Sequence, residues 1–178
     1  MMGRSRYKIY EPTAPHFMTC TILHWIPIFT RVQTTDIIFD SLKYLQKKDN
    51  LKIYAYVILE NHLHLVASSD NIGETMKAFK THTAREILKY LQKENASTIL
   101  EQLAFYKKAH KKSATYQLWQ EGIQPKVILN EKMMLDRINY IHNNAVKRGY
   151  IEDASCWRYS SARDYEGLEG LLKVCCVF

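Results

Sequence analysis

The chain has 178 residues, of which 47% are hydrophobic and 24% charged, and its formal net charge is +7. This composition favours one folded domain and excludes disordered chains, and no stretch approaches the roughly 20 apolar residues of a membrane span. The basic first ten residues lack the apolar core of a signal peptide, so a cytoplasmic location is expected. The four cysteines form no Cys-x-x-Cys pair, which argues against a zinc site or a disulfide framework.

The first half of the chain predicts a strand, a helix and a hairpin. Residues 16–26 are rich in β-branched and aromatic side chains, which indicates a strand. Residues 35–48 carry apolar side chains at helical spacing, with acidic residues early and lysines late. Residues 51–59 and 62–68 are two β-prone runs, and the short connection between them predicts a hairpin.

The second half begins with a predicted amphipathic helix over residues 73–94. Residues 95–115 are expected to form a loop or a short additional helix. Residues 116–129 read as an extended segment interrupted at Gly122 and Pro125. A last helix is expected to begin after Asn130, as its N-cap, and to run to about Arg148.

The order of these elements predicts an α+β fold of the ferredoxin-like, split-βαβ type. This plan has an antiparallel sheet with helices on one face, here followed by a C-terminal helix and a tail. We expect residues 51–68 to occupy central strands. The predicted boundaries are a main domain at 1–149 and a tail at 150–178 that could extend a ligand-binding surface.

Nearly all of the excess positive charge lies in one part of the chain. Residues 77–112 contain nine basic and three acidic side chains, a net charge of +6. A localised basic patch attracts polyanions such as nucleic acids, although a solvated helix face without a partner would show the same pattern.

Two histidines mark a candidate metal site. His62 and His64 are two residues apart on a predicted strand, so both imidazoles point to the same face. Such a pair can bind a divalent cation, although a half-exposed strand can also carry two histidines by chance.

The last helix supplies further candidates. Tyr140 and Asn144 are four residues apart and therefore share one helical face. An amide oxygen from Asn144 would complete a site suited to Mg²⁺ or Mn²⁺. Tyr140 could instead be a core tyrosine, but Met134, Ile138 and Ile141 already form an apolar stripe.

These residues carry a resemblance to a known family. Asn61-His62-Leu63-His64 and Tyr140-Ile141-His142-Asn143-Asn144-Ala145-Val146 resemble the two motifs of IS200-like single-tyrosine HUH transposases. Residues 118–122 and 157–162 are similar to the subgroup associated with repetitive extragenic palindromes (REP). The subgroup usually has proline where this chain has Glu60 and Ala145, and neither position is a ligand in that family. Glu60 is close enough to His62 to tune or join a metal site, but an exposed turn residue is the favoured interpretation.

The resemblance implies a metal-dependent enzyme that cuts and rejoins single-stranded DNA beside hairpins. His62, His64 and Asn144 would hold Mg²⁺ or Mn²⁺, and Tyr140 would form a 5′-phosphotyrosine intermediate. The expected partner is single-stranded DNA with palindromic elements. A monomer is more consistent with the REP-associated subgroup than a dimer, and the enzyme would lie in the cytoplasm, on the nucleoid when DNA-bound.

Further side chains are predicted to contact DNA. Basic residues would bind phosphates, and Trp157 would stack on bases or pack in the core. Core packing is the favoured interpretation for Trp119. The predicted DNA-binding residues are Lys77, Lys80, Arg85, Lys89, Lys93, Lys107, Lys108, Lys111, Lys112, Arg137, Arg148, Trp157 and Arg158.

Two alternatives use the same features differently. A non-catalytic module that binds hairpin DNA or RNA could share the ferredoxin-like sheet, the basic patch and the aromatic residues. It would leave the pattern of His62, His64, Tyr140 and Asn144 without a purpose. A plasmid replication initiator of the broader HUH class usually has additional domains, for which this chain is short.

Overall fold

A four-stranded antiparallel sheet forms the centre of the protein, in the strand order β2-β3-β1-β4. The computed structural model describes residues 9, 11–122 and 125–177. The predicted hairpin is confirmed, but only its second strand is central, because β2 lies at the sheet edge. The strands are β1 His16–Thr21, β2 Lys52–Ile58, β3 His62–Ser68 and β4 Lys126–Val127.

Six α-helices accompany the sheet within the described ranges, and the predicted α+β, ferredoxin-like class is confirmed. The segment 95–115 contains a short helix, as one of its two interpretations predicted. In the part of the chain that the structure describes, no helix has the length and apolar character needed to cross a membrane. The helices are α1 Val32–Lys48, α2 Ile72–Lys93, α3 Ser97–Phe105, α4 Glu131–His142, α5 Asn144–Lys147 and α6 Ala162–Tyr165.

The two faces of the sheet carry different helices. Leu63 and Leu65 of β3 point into the larger core cluster with side chains of α1 and α2. Val66, on the opposite face, packs with Ile138 and Ile141 of α4 in the second cluster. Because strand side chains alternate between faces, His62 and His64 point to the α4 face together with Val66.

The start of the C-terminal helix is as predicted, but its end is not. The Asn130 side chain accepts a hydrogen bond from the Met133 amide and caps α4. The helix ends at His142 instead of continuing to Arg148. The Asn143 side chain donates to the carbonyl oxygen of Asn139 (2.9 Å), so it competes with the backbone for this acceptor. The chain then resumes as α5.

Two predicted strands are shorter in the structure. β1 ends at Thr21 instead of residue 26, because His24 and Trp25 have positive φ angles of 52° and 58° and the chain turns there. The extended segment 116–129 is interrupted near Gly122 (φ 75°) and contributes only β4 and an isolated bridge between Trp119 and Ile22. Tertiary packing overrides β-propensity at both places.

The segment after Gly149 packs along the free edge of β2. The Ile58 amide donates to the Tyr159 carbonyl (2.8 Å), and the Cys175 amide donates to the Ile53 carbonyl (2.8 Å). The indole N–H of Trp157 donates to the Ile58 carbonyl (2.9 Å). These bonds cover an edge that would otherwise expose unpaired backbone groups.

Candidate metal centre and nucleophile

The two candidate histidines lie side by side at the start of β3. The centroids of the His62 and His64 rings are 4.7 Å apart, and both side chains are buried. The strand register places Thr19 of β1 opposite His64 and Thr21 opposite His62.

Each imidazole is oriented through its Nδ1 atom. His62 Nδ1 donates to the Oδ1 atom of Asn61 (2.7 Å), whose Nδ2 in turn donates to the Trp25 carbonyl (3.1 Å). His64 Nδ1 is hydrogen-bonded to Thr19 Oγ1 at 2.8 Å. Metal-binding histidines commonly have such a partner on the second nitrogen, which fixes the ring and its tautomer. The Nε2 atoms of both rings are therefore the ones available as ligands.

The surroundings keep both imidazoles neutral. Burial, helped by the Arg148 guanidinium, lowers the pKa of His62 to about 4. Burial, helped by His62 and Arg148, lowers the pKa of His64 to about 3. Only a neutral imidazole has the free lone pair that a metal ion needs, so both rings are ready to bind at neutral pH.

A third buried histidine, His142, also has a lowered pKa. His142 Nε2 is hydrogen-bonded to Ser161 Oγ (2.9 Å), and burial lowers the pKa of His142 to about 4. This contact gives His142 a structural role between α4 and the C-terminal segment.

The stability of the metal-free protein is expected to fall as the pH drops below about 6.5. Below that pH, His62, His64 and His142 bind protons in the unfolded chain but stay neutral in the folded chain. Each histidine therefore lowers the free energy of unfolding by about 1 kcal/mol per pH unit. The free energy of unfolding continues to fall until the pH reaches the pKa values of the folded protein.

Urea unfolding in EDTA, from pH 7.5 to pH 4.5, measures this fall. His142→Gln should reduce the slope and His82→Gln, at an exposed position, should not; equal slopes would contradict this account.

Tyr140 lies beside the histidine pair. Its ring centroid is 5.3 Å from that of His64, and the side chain is 38% exposed, so the phenol is accessible to a ligand. The Phe17 ring packs against both residues, stacked on His64 (5.6 Å) and edge-on to Tyr140 (5.8 Å). The structure thus brings together the candidate nucleophile and one candidate metal ligand.

Asn144 begins α5, and the break at Asn143 separates it from Tyr140 of α4, so the two residues do not share one continuous helix as predicted. Along the chain, Asn144 lies between two residues that contact the β2–β3 hairpin. Tyr140, four residues earlier, contacts His64. Arg148, four residues later, donates to Glu60 Oε1 (2.7 Å) at the hairpin turn. Asn144 itself is buried. Glu60 is therefore half-buried and ion-paired, and its interpretation as an exposed turn residue is wrong.

The donor set fits a hard divalent cation. Within the described ranges, no three His, Cys, Asp or Glu side chains cluster closely enough to hold a metal ion. A further protein ligand beside His62 and His64 would therefore be an uncharged oxygen, and the Asn144 side chain carries an amide oxygen. Imidazole nitrogens with an amide oxygen and water are acceptable to Mg²⁺ or Mn²⁺.

The basic side of α2 lies away from this centre. α2 packs on the sheet face opposite to α4, and four of its predicted DNA-binding residues are exposed on its outer surface. Arg85 pairs with Glu86 (2.8 Å) and Lys77 with Glu74 (3.1 Å). The structure does not bring Lys77, Arg85, Lys89 and Lys93 close to His62 and His64.

Lys80 was predicted to contact DNA, but its side chain is bonded within the protein. Its ammonium group donates to the Gln120 carbonyl (2.7 Å) and lies over the Trp119 ring, 5.8 Å from the centroid. Burial lowers its pKa. Trp119 is buried and donates to Thr83 Oγ1 (3.1 Å), which confirms core packing for this residue.

The remaining predicted DNA-binding residues are spread around the centre. The Arg137 guanidinium lies over the Phe17 ring (5.1 Å), on the Tyr140 side of α4. Trp157 is half-buried and Arg158 exposed beside the hairpin turn. The last four predicted DNA-binding residues follow α3 and are Lys107, Lys108, Lys111 and Lys112. The ammonium group of Lys107 donates to the carbonyl of Lys111 (3.0 Å).

Several contributors to the site were not predicted. Thr19 and Phe17 belong to β1, and only the pairing of β1 with β3 brings them to His64. Trp25 packs edge-on against His62 at 5.6 Å. Among the missed side chains only Thr19 had a sequence signal, since a polar residue in an apolar strand alternates with buried neighbours.

Comparison with known proteins supports the resemblance stated above. No protein-family model matches the chain. A Haemophilus influenzae protein named "Putative REP-associated tyrosine transposase" is 28% identical over 111 residues, which are 60% of this chain. The match spans 56% of that relative's length, a little over half.

A solved structure described as a REP-associated tyrosine transposase bound to a REP hairpin has a similar fold. It superposes with a TM-score of 0.64 at 18% identity, over 100% of this chain and 94% of that chain. In sequence and in fold, the chain therefore resembles the REP-associated tyrosine transposases, as its two motifs predicted.

Proposed function

We propose that this protein is a metal-dependent transposase that cuts and rejoins single-stranded DNA next to hairpins. The observation that carries the proposal is the packing of Tyr140 against His64, whose ring and that of His62 are both held through Nδ1. The Tyr140 phenol and two neutral imidazoles thus lie side by side, and Tyr140 is accessible, which supports this activity. The names of the relatives, which are transposases, support the same activity.

The residues have distinct roles in this proposal. His62, His64 and Asn144 hold Mg²⁺ or Mn²⁺, which when bound supplies Lewis-acid polarisation of the phosphate. The Tyr140 oxygen attacks phosphorus and the bond to the 3′ oxygen breaks. The phenol proton passes to solvent, and the leaving 3′ oxygen takes one up. The product is a 5′-phosphotyrosine with a free 3′-hydroxyl, so a second 3′-hydroxyl can reverse the step and join strands.

The nearby cations would position the DNA. Arg137 and Lys147 flank Tyr140, with the Lys147 ammonium 5.9 Å from the Tyr140 ring centroid. Arg158 lies near the hairpin turn. Phosphate contacts of this kind set register without reading sequence. We further propose a monomeric enzyme located in the cytoplasm and on the nucleoid, since Tyr140 and His64 meet within one chain.

A denaturing gel tests the proposal. The purified protein is mixed with 5′- and 3′-labelled hairpin oligonucleotides from the neighbourhood of its gene, with and without Mg²⁺ or Mn²⁺. A metal-dependent covalent adduct is expected on the fragment whose 5′ phosphate becomes bonded to Tyr140. Binding on a native gel without any adduct would favour a non-catalytic hairpin-binding module instead.

The ion pair between Glu60 and Arg148 yields a separate prediction. Since it joins the histidine hairpin to α5, Glu60→Gln and Arg148→Gln should lower cleavage by similar factors, and the double variant should be no worse. Each should cost up to about 1 kcal/mol in unfolding free energy, as for a partly exposed ion pair. Cleavage rates and urea unfolding of all three variants measure this.

The same three variants of Glu60 and Arg148 also test whether Arg148 contacts DNA, as predicted. If Arg148 bound phosphate, only the Arg148 variants would lose hairpin affinity and salt dependence, and Glu60→Gln would behave like the unmodified protein. Arg158→Gln is the matched control, because this arginine is exposed and would affect DNA binding alone.

A further inference from the structure

A second feature near the candidate centre is an open cavity of about 480 Å³ on the far side of Trp25. This volume lies within the usual range for small-ligand pockets. Aromatic and polar side chains line the cavity. They are Leu23, His24, Trp25, Tyr106, Lys108, Gln120 and Glu121.

Three of the rings that line the cavity are exposed, and two of them are stacked on each other. His24 and Tyr106 are stacked, with centroids 3.6 Å apart and ring planes 15° apart, and both are exposed. Trp25 is 55% exposed. A large exposed aromatic costs hydration free energy unless a partner covers it, and a planar ring is the natural partner.

The backbone that presents these rings is strained. His24 and Trp25 are consecutive non-glycine residues with φ angles of 52° and 58°. Residues of this kind cost free energy in the left-handed region, and such strain is retained mainly at ligand sites. The turn is held by the Asn61 side chain, which donates to the Trp25 carbonyl (3.1 Å).

The cavity is connected to the candidate metal centre by the same residues. Trp25 lines the cavity and packs edge-on against His62 at 5.6 Å. Asn61 bonds both the Trp25 carbonyl and His62 Nδ1. A ligand that reaches from the centre past Trp25 therefore enters the cavity directly.

The charges around the cavity suit a polyanion. Lys108 is exposed at its wall, and the basic segment 107–112 follows Tyr106. The one lining carboxylate, Glu121, is paired with His110 (2.6 Å) and Lys111 (3.5 Å). Its negative charge is thus balanced.

We propose that this cavity binds one unpaired base of single-stranded DNA, within one or two nucleotides of the phosphate held at Tyr140 and the histidine pair. The base extends the His24–Tyr106 stack, and Lys108 contacts its phosphate. The cavity would then help to select the nucleotide beside the cleaved bond. The proposal rests on the proposed function for the identity of the ligand as DNA.

Site-specific fluorescence tests the proposal without requiring cleavage. Hairpin oligonucleotides with a thymidine flank carry a single 2-aminopurine at successive flank positions, and they are titrated with the Tyr140→Phe variant. Stacking quenches 2-aminopurine, so strong quenching is expected at one flank position. Adding Tyr106→Ala should abolish that quenching and weaken binding about tenfold, as for loss of one stacked base.

Two matched variants separate stacking from general disturbance. Tyr106→Phe keeps a ring and should retain the quenching. Tyr44→Ala removes an exposed ring of α1 that does not line the cavity, and should also leave it unchanged. Quenching spread evenly over the flank, quenching insensitive to Tyr106→Ala, or no binding of these oligonucleotides would overturn the proposal.

The two proposals fail in different ways. Position-specific quenching that depends on Tyr106, combined with no covalent adduct from the unmodified protein, would reject the enzyme and keep the base cavity. An adduct without position-specific quenching would reject the cavity and keep the enzyme.

Discussion

Replacing Tyr140 with phenylalanine is expected to abolish the covalent protein–DNA adduct and to lower strand cleavage on the order of 10³-fold or more. The reason is specific to one atom. The ring would still pack against Phe17 and His64, whose centroids lie 5.8 and 5.3 Å from that of Tyr140, so only the attacking oxygen is lost. The hydroxyl is accessible at the surface, and its loss leaves no buried polar group behind.

Hairpin affinity of Tyr140→Phe should stay within about a factor of two of the original, because substitutions at exposed positions rarely change free energies further. A denaturing gel measures the yield of covalent adduct, and a native gel measures hairpin affinity. Tyr150→Phe is the matched control, since Tyr150 is also exposed and lies shortly after the same helical segment. Equal cleavage by Tyr140→Phe, or loss in Tyr150→Phe instead, would reject Tyr140 as nucleophile.

Replacing His64 with alanine is expected to remove metal-dependent cleavage and cation binding. His64 lies between Tyr140, His62 and Thr19, so its imidazole has both the position and the neutral charge of a ligand. Calorimetric titration with Mn²⁺ alone gives a reading that does not depend on catalysis. Undiminished Mn²⁺ binding and cleavage by His64→Ala would indicate a route without metal at this site.

Thr19→Val offers a milder version of the same test. Valine keeps the shape of threonine but removes the Oγ1 atom that is 2.8 Å from His64 Nδ1. Loss of such an orienting partner typically weakens metal binding about 10- to 100-fold, so higher Mn²⁺ concentrations should restore cleavage. His82→Ala, at an exposed histidine on the other sheet face, should change neither reading.

The basic residues of the chain have different surroundings in the structure, which the sequence alone does not distinguish. Residues 77–112 read as one basic region, yet Lys80 bonds the Gln120 carbonyl and other cations pair with acidic neighbours. The exposed lysines of α2 lie across the sheet from the histidine pair. A helical pattern shows which side chains share a face, but it does not show which side of a sheet that helix will cover.

Local sequence determined most of the elements and the main candidates for chemistry. Apolar periodicity predicted α1 and α2, two β-prone runs with a short connection predicted the hairpin, and the N-cap residue Asn130 predicted the start of α4. All of these signals depend on neighbours a few residues apart. Strand alternation alone placed His62 and His64 on one face, and helical spacing associated Asn144 with Tyr140. The ferredoxin-like class followed from the order of the elements.

Only the tertiary structure decided how these pieces meet. Thr19 faces His64 because of the β1–β3 register, and Arg148 reaches Glu60 because α5 packs against the hairpin. The turn at His24 and Trp25 and the covered edge of β2 likewise depend on contacts between distant segments. Such contacts form through packing and hydrogen bonding across the fold, so composition and periodicity carry no record of them.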